Sequence, residues 1–242
     1  SRTMSQPVIV VGIDFSETSE LTLRQARRLA ELRRARLVLA HVLDSSRLSH
    51  LKSSLLGSPS EEEVLESKRR ALAEFVEKHG ELQDVEQEVM AGSVADCLNQ
   101  LIEEKQAELL VIAANDQKKA RLGTNASRCL RQVSCDVLVL RDWHGGAFQR
   151  VVVTTDFSGI SDDALEQGAL VARRHQASLE VIHVMYPPNE DGWGAATSHR
   201  MNAEKTYEEE CIEAANEQMS RFIERNREAL EGFYLPANSV FG

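Results

Sequence analysis

The chain has 242 residues, 42% apolar and 27% charged, with a formal net charge of −10 and a pI near 5.3. Such a composition fits one large or two small globular domains. The acidity argues against a nucleic-acid partner, which needs a basic face to neutralise phosphates, and no apolar run is long enough to span a bilayer.

Val8–Ile13 is a continuous apolar run closing on Asp14-Phe15-Ser16, the pattern of a doubly buried strand leading into a helix cap. Leu21, Leu23, Ala26, Leu29, Ala30 and Leu32 follow at near-helical spacing, and Leu37–Leu43 reads as a second strand. Ser60 with Glu63 three residues on is a capping box that starts a second helix, and Gly80 stops it. Val85, Gln87 and Val89 suggest a third strand, and Ser93 opens a third helix carrying Val94, Cys97, Leu98 and Leu101. Leu109–Ala113, Thr124–Val133 and Val137–Leu140 complete the series as strand, helix and strand. This alternation predicts an α/β fold, a doubly wound five-stranded parallel sheet flanked by four helices. Its ligand crevice belongs beyond the carboxyl ends of the strands, where the winding reverses.

The chain then repeats itself. Residues 9–42 align without a gap on residues 151–184, and thirteen of the 34 positions are identical, including Asp14/Asp156, Phe15/Phe157, Ser16/Ser158, Ser19/Ser161 and His41/His183. A tandem duplication follows, with a first domain over 4–141, a linker over 142–149 that holds Gly145 and Gly146, and a second domain over 150–242. In the second copy Val151–Thr155 and Leu179–Met185 are strands, 186–199 is an excursion, and Glu204–Glu231 reads as one long helix. Counterparts of residues 101–141 fall beyond Gly242, so the second copy is expected to be truncated or degenerate. Its open sheet edge is expected to promote self-association or leave the second half poorly ordered.

Cys97, Cys129, Cys135 and Cys211 form no C-x-x-C pair and no zinc spacing, which predicts reduced thiols and no metal site. No P-loop, G-x-S-x-G elbow or H-E-x-x-H motif is present, and no catalytic residue is assigned. His41 and His183 recur at matched strand ends, where packing or a backbone hydrogen bond is the expected role.

Three segments together carry a family resemblance: the first strand closing on "DFS", the "AHV" and "IHV" ends of the second strand, and "ELLVIA" followed by "LGTNASRCLRQVSCDVLVLRD". On these, both halves resemble universal stress protein domains. The resemblance implies an adenine-nucleotide alpha-hydrolase-like fold, a cytoplasmic location, dimerisation and a role in stress survival. One branch of that family binds ATP through G-x-x-G, nine residues, then G-S or G-T; another lacks the motif and does not bind ATP. Carried over, Asp14 matches the nucleoside-side acid and Asp156 is its twin. Val42, twinned by Val184, falls at the backbone position beside the base, and Gly123-Thr124 matches the closing G-S/T. There a helix N-terminus offers free N–H groups to an anion, while Thr124 or Asn125 is placed to cap the same helix.

Departures from the motif matter as much. Its first glycine falls at Ala113 and its second at Asp116, with six residues rather than nine before Gly123. Ala113 adds a Cβ and Asp116 a negative charge where phosphate oxygens would lie, which Lys118, Lys119 and Arg121 would only partly offset. The expectation is a non-enzymatic stress-response protein with weak or lost binding of ATP or AMP. It would act as a homo-oligomer or intramolecular pseudo-dimer on a protein partner that the sequence does not identify. The alternative is an ATP/AMP-binding regulator or ATP-hydrolysing enzyme using Asp14 and the Gly123-Thr124 helix start.

Overall fold

The computed structural model describes residues 6–45, 59–79, 85–114, 123–141, 146–185, 207–235 and 237–241. The chain divides into two compact units, Ser1–Gly145 and Gly146–Gly242.

In the first unit the strands are β1 (Val8–Gly12), β2 (Arg36–Asp44), β3 (Glu86–Gly92), β4 (Leu109–Ala113) and β5 (Asp136–Leu140). Four helices alternate with them: α1 (Glu17–Arg33), α2 (Glu61–Lys78), α3 (Val94–Lys105) and α4 (Thr124–Gln132). The sheet is parallel throughout and ordered β3-β2-β1-β4-β5. Chain order runs outward from β1 to β3 and then crosses to β4, so the winding reverses between β1 and β4. Alternate side chains of β1 enter two cores. Val8 and Val10 pack with Leu98, Leu101 and Ile102 of α3 and Ala126 and Cys129 of α4. Ile9 and Val11 pack with Leu23, Ala26 and Ala30 of α1 and Leu72 of α2. Ile9, Val10 and Val11 are wholly buried, each contributing roughly 1.5–3 kcal/mol of transfer free energy.

The expected elements are present, with local differences. The Ser60 capping box forms: the Glu63 N–H donates to Ser60 Oγ at 3.2 Å and the Ser60 N–H to Glu63 Oε2 at 2.7 Å. That helix ends at Lys78, and the expected stop, Gly80, lies outside the described residues. Leu32 does not join the buried stripe of α1 and is 54% exposed; two residues past Ala30 the helix has turned it away from the sheet.

Close packing at the switch point depends on Gly12. A Cβ there would lie 2.9 Å from Ile112 Cγ2, on a β-branched side chain with little freedom to move. The duplicated position is Thr154, and among the described residues no strand flanks it on that side.

The second unit holds β6 (Arg150–Thr154), α5 (Gly159–His175), β7 (Ser178–Met185), α6 (Tyr207–Arg225) and β8 (Ala237–Phe241), in a parallel sheet ordered β6-β7-β8. Two features correct the sequence reading. The long helix expected over Glu204–Glu231 is regular only to Arg225. At Asn226 the N–H is shared between the carbonyls of Phe222 and Ile223, and the next N–H, of Arg227, bonds three residues back to Glu224. The chain continues in turns, and the Arg173 guanidinium takes up the Ala229 and Glu231 carbonyls at 2.7 and 3.0 Å. Beyond those turns comes β8, a strand the sequence reading did not assign. Both helices pack on the face bearing Val153, Leu179 and Val181. Val152 on the opposite face is 43% exposed, whereas its twin Val10, covered by α3 and α4, is fully buried.

Gly12→Ala is expected to destabilise the first unit by about 1–3 kcal/mol through overpacking against Ile112. Urea denaturation should show a lowered midpoint; an unchanged midpoint would mean that β1 and β4 tolerate the added methyl.

Candidate functional site

The Asp-Phe-Ser turn is built around one carboxylate oxygen. Asp14 Oδ1 accepts from the Ser16 N–H at 3.0 Å, the Ser16 hydroxyl at 2.6 Å and the Ser19 hydroxyl at 2.8 Å. The Asp14 N–H in turn donates to Ser19 Oγ at 3.3 Å. These bonds join the end of β1 to the first turn of α1 and hold Phe15 at φ 60°, a left-handed conformation that L-residues rarely adopt. So placed, the Phe15 ring lies 4.5 Å from the His41 ring and 6.2 Å from Phe75.

His41 closes the arrangement from β2. Its Nδ1 donates to the Ile13 carbonyl at 2.7 Å. The residue is 8% exposed, and its buried Nε2 has no hydrogen-bond partner among the described residues. Burial pushes the imidazole below its ordinary pKa, against the Ile13 hydrogen bond that favours the charged form; Lys68 nearby depresses it further. The strand-end backbone bond expected of the two histidines is therefore present.

The same bonds recur in the second unit. Asp156 Oδ1 accepts from the Ser158 N–H at 3.0 Å and the Ser161 hydroxyl at 2.7 Å, with Phe157 at φ 66°. His183 Nδ1 donates to the Thr155 carbonyl at 2.7 Å, and the Phe157 and His183 rings are 4.3 Å apart. Hydrogen bonds from Ser158 and then Ser161 hold the Asp156 carboxyl well below the usual carboxylate range.

A cavity of about 380 Å³ opens at the carboxyl ends of β1, β2 and β4, at the switch point where doubly wound sheets hold ligands. Its apolar wall includes Val42, Val94, Leu98, Ile112 and Ala126; its polar groups include Asp14, His41, Asp44, Lys68 and Asn125. Of the residues expected at a site, Asp14, Val42, Ala113 and Asn125 meet here, while Gly123 and Thr124 are not part of the lining. The capping role considered for Thr124 or Asn125 is not observed. Gly123 is the N-cap of α4 and no side chain caps the helix, because both residues already lie within its first turn. Asp116, Lys118, Lys119 and Arg121 lie outside the described residues. Val184, the twin of Val42, is 47% exposed, on the face that neither α5 nor α6 covers.

Lys68 and Val64 of α2 were missed as lining residues. One turn apart, with Leu72 a further turn on, they share the inward face of that helix. A lysine inside an otherwise apolar stripe was the available signal. None of the four cysteines is in a disulfide, and no cluster among the described residues is arranged to hold a metal ion.

The model of the universal stress protein family matches residues 7–141 and again residues 147–233. The chain belongs to the universal stress protein family. A universal stress protein from Archaeoglobus fulgidus DSM 4304 is 18% identical, covering 97% of this chain and 78% of its own, with a TM-score of 0.54. A chain from Pseudomonas aeruginosa UCBPP-PA14 assigned to the same family is 16% identical, covering 98% of this chain and 75% of its own, with a TM-score of 0.57. A universal stress protein in complex with cAMP is 22% identical over 57% of this chain and 98% of its own, with a TM-score of 0.44. At these identities the likeness to the solved universal stress proteins is one of fold. No curated protein matches the sequence of this chain. No helix among the described residues is long and apolar enough to cross a membrane.

The depressed pKa of His41 has a definite sign. The unfolded chain takes up a proton near pH 6.5 that the folded state resists, so the stability conferred by neutral His41 is present above that pH and is lost as pH falls toward the folded value. Thermal melts between pH 7.5 and about 5 should show a declining Tm, and His41→Asn should flatten the decline; an equally steep decline in the variant would contradict this.

Proposed function

We propose that this universal stress protein is a non-enzymatic stress-response protein of the cytoplasm, acting through self-association and partner binding, with only weak nucleotide binding in its first domain. The observation that carries this reading is the engagement of the motif side chains. Asp14 Oδ1 is occupied by Ser16 and Ser19, and His41 Nδ1 by the Ile13 carbonyl. Duplication supplies an internal control: Asp156 and His183 make the corresponding bonds in the second unit. Bonds that recur in both copies serve the turn common to both. That recurrence supports a structural role for these side chains.

The cavity itself supports weak binding. Val42, Val94, Leu98 and Ile112 give it an apolar lining, and the uncapped first turn of α4 presents amide groups beside Asn125. Ala113, where the ATP-binding branch has glycine, brings a Cβ to the wall. For association, β5 stands at one edge of the five-stranded sheet, with main-chain groups available to another strand.

Calorimetric titration with ATP and AMP should give dissociation constants weaker than about 0.1 mM, without phosphate release, and sedimentation should show a dimer. Micromolar binding that disappears in Val94→Phe, which puts a larger side chain in the cavity lining, would support the ATP/AMP-binding regulator instead. Steady phosphate release would support the hydrolysing enzyme.

A further inference from the structure

We propose that Lys68 sets the ligand class of the first-domain cavity, selecting an anion with a flat apolar body over its neutral counterpart. This rests on the reading of that cavity as the ligand site and adds the residue that decides what it accepts.

The charges around the cavity are unequal in availability. Asp14 is tied to Ser16 and Ser19 at the N-terminus of α1, where the helix dipole offsets a negative charge. Asp44 is not free either. His41 is kept neutral by burial. Lys68 differs: no carboxylate among the described residues lies within ion-pair distance of its ammonium, and its described contact is the Phe15 ring, with Nζ 5.4 Å from the centroid. An aromatic face holds a cation in place without neutralising it. Among the described lining residues Lys68 is thus the one cation, in a cavity whose lining also includes Val42, Val94, Leu98 and Ile112. A cavity of about 380 Å³ accommodates a nucleoside-sized body, and an acidic group on that body would gain a charge-assisted hydrogen bond from Nζ.

The second unit shows that the fold does not require this lysine. Phe222 packs edge-on to Phe157 at 6.0 Å as Phe75 packs on Phe15 at 6.2 Å, which sets α6 in register with α2. In that register buried Leu72 corresponds to buried Met219, and Lys68 corresponds to Ala215, which is also buried. The cation therefore belongs to the first copy's cavity and not to the shared helix packing.

Lys68→Ala introduces the residue that the second copy already carries, and so is expected to fold. AMP and adenosine titrated into the ¹⁵N-labelled full chain, following the amides of Asn125 and Ala126, measure the preference for the anion. In the unmodified protein AMP should bind about tenfold more tightly than adenosine. In Lys68→Ala the two should bind equally, with adenosine unchanged, and Lys68→Arg should restore the preference. An AMP preference that survives in Lys68→Ala would overturn the assignment of Lys68 and leave the cavity as the ligand site. No shift with either compound at millimolar concentration would overturn the cavity reading and this inference with it.

Discussion

One carboxylate oxygen organises each half of this protein. Asp14 Oδ1 gathers a backbone N–H and two hydroxyls at the point where β1 becomes α1, and Phe15 is held in a left-handed conformation between them. That conformation costs on the order of 1–3 kcal/mol. It is offset by what the turn places: the Phe15 ring against His41 and Phe75, and the His41 imidazole against the Ile13 carbonyl. Strand, helix and neighbouring strand are locked in one step, and α2 is positioned over them.

Duplication makes this constraint visible. Both units keep the knot, the left-handed phenylalanine and the histidine bond, although their surroundings differ. In the first unit β1 is flanked by β4 and covered on both faces, and Gly12 admits Ile112. In the second, Thr154 stands in place of Gly12 and Val152 is partly exposed. The Asp-Phe-Ser turn thus holds the fold together in both units. In the first unit the signature also reaches the cavity, where Asp14, His41, Val42, Ala113 and Asn125 join lining residues on α2 and α3.

Much of the architecture was legible in the residues. Leu109–Ala113 matches β4 residue for residue because a short, fully apolar run has few other environments in an α/β domain. The Ser60 capping box was legible because both of its bonds are made within three residues. The end of α6 was not: the break at Asn226 depends on Asp162, some sixty positions earlier, which accepts from the Asn226 amide at 2.6 Å and from Arg225 Nε at 2.9 Å. β8 was missed because five residues acquire a strand's identity only when paired with β7. Asp14, Val42, Ala113 and Asn125, which the family resemblance pointed to, line the cavity, and so does Lys68, to which it did not point, since the motif does not include α2.

The sequence by itself determined the periodicities, the duplication, the Asp-Phe-Ser turn and the family, because each depends on residues near in the chain or on comparison of one half with the other. Tertiary structure alone decided which strands are flanked and which faces covered, and so why Gly12 and Thr154 diverge at equivalent positions. It also decided that Asp14, His41 and Lys68 meet at one cavity, the first two already hydrogen-bonded within the fold. The physical reason is that hydrogen-bond saturation and burial depend on groups brought together from distant segments, and one segment's sequence does not contain the others' positions.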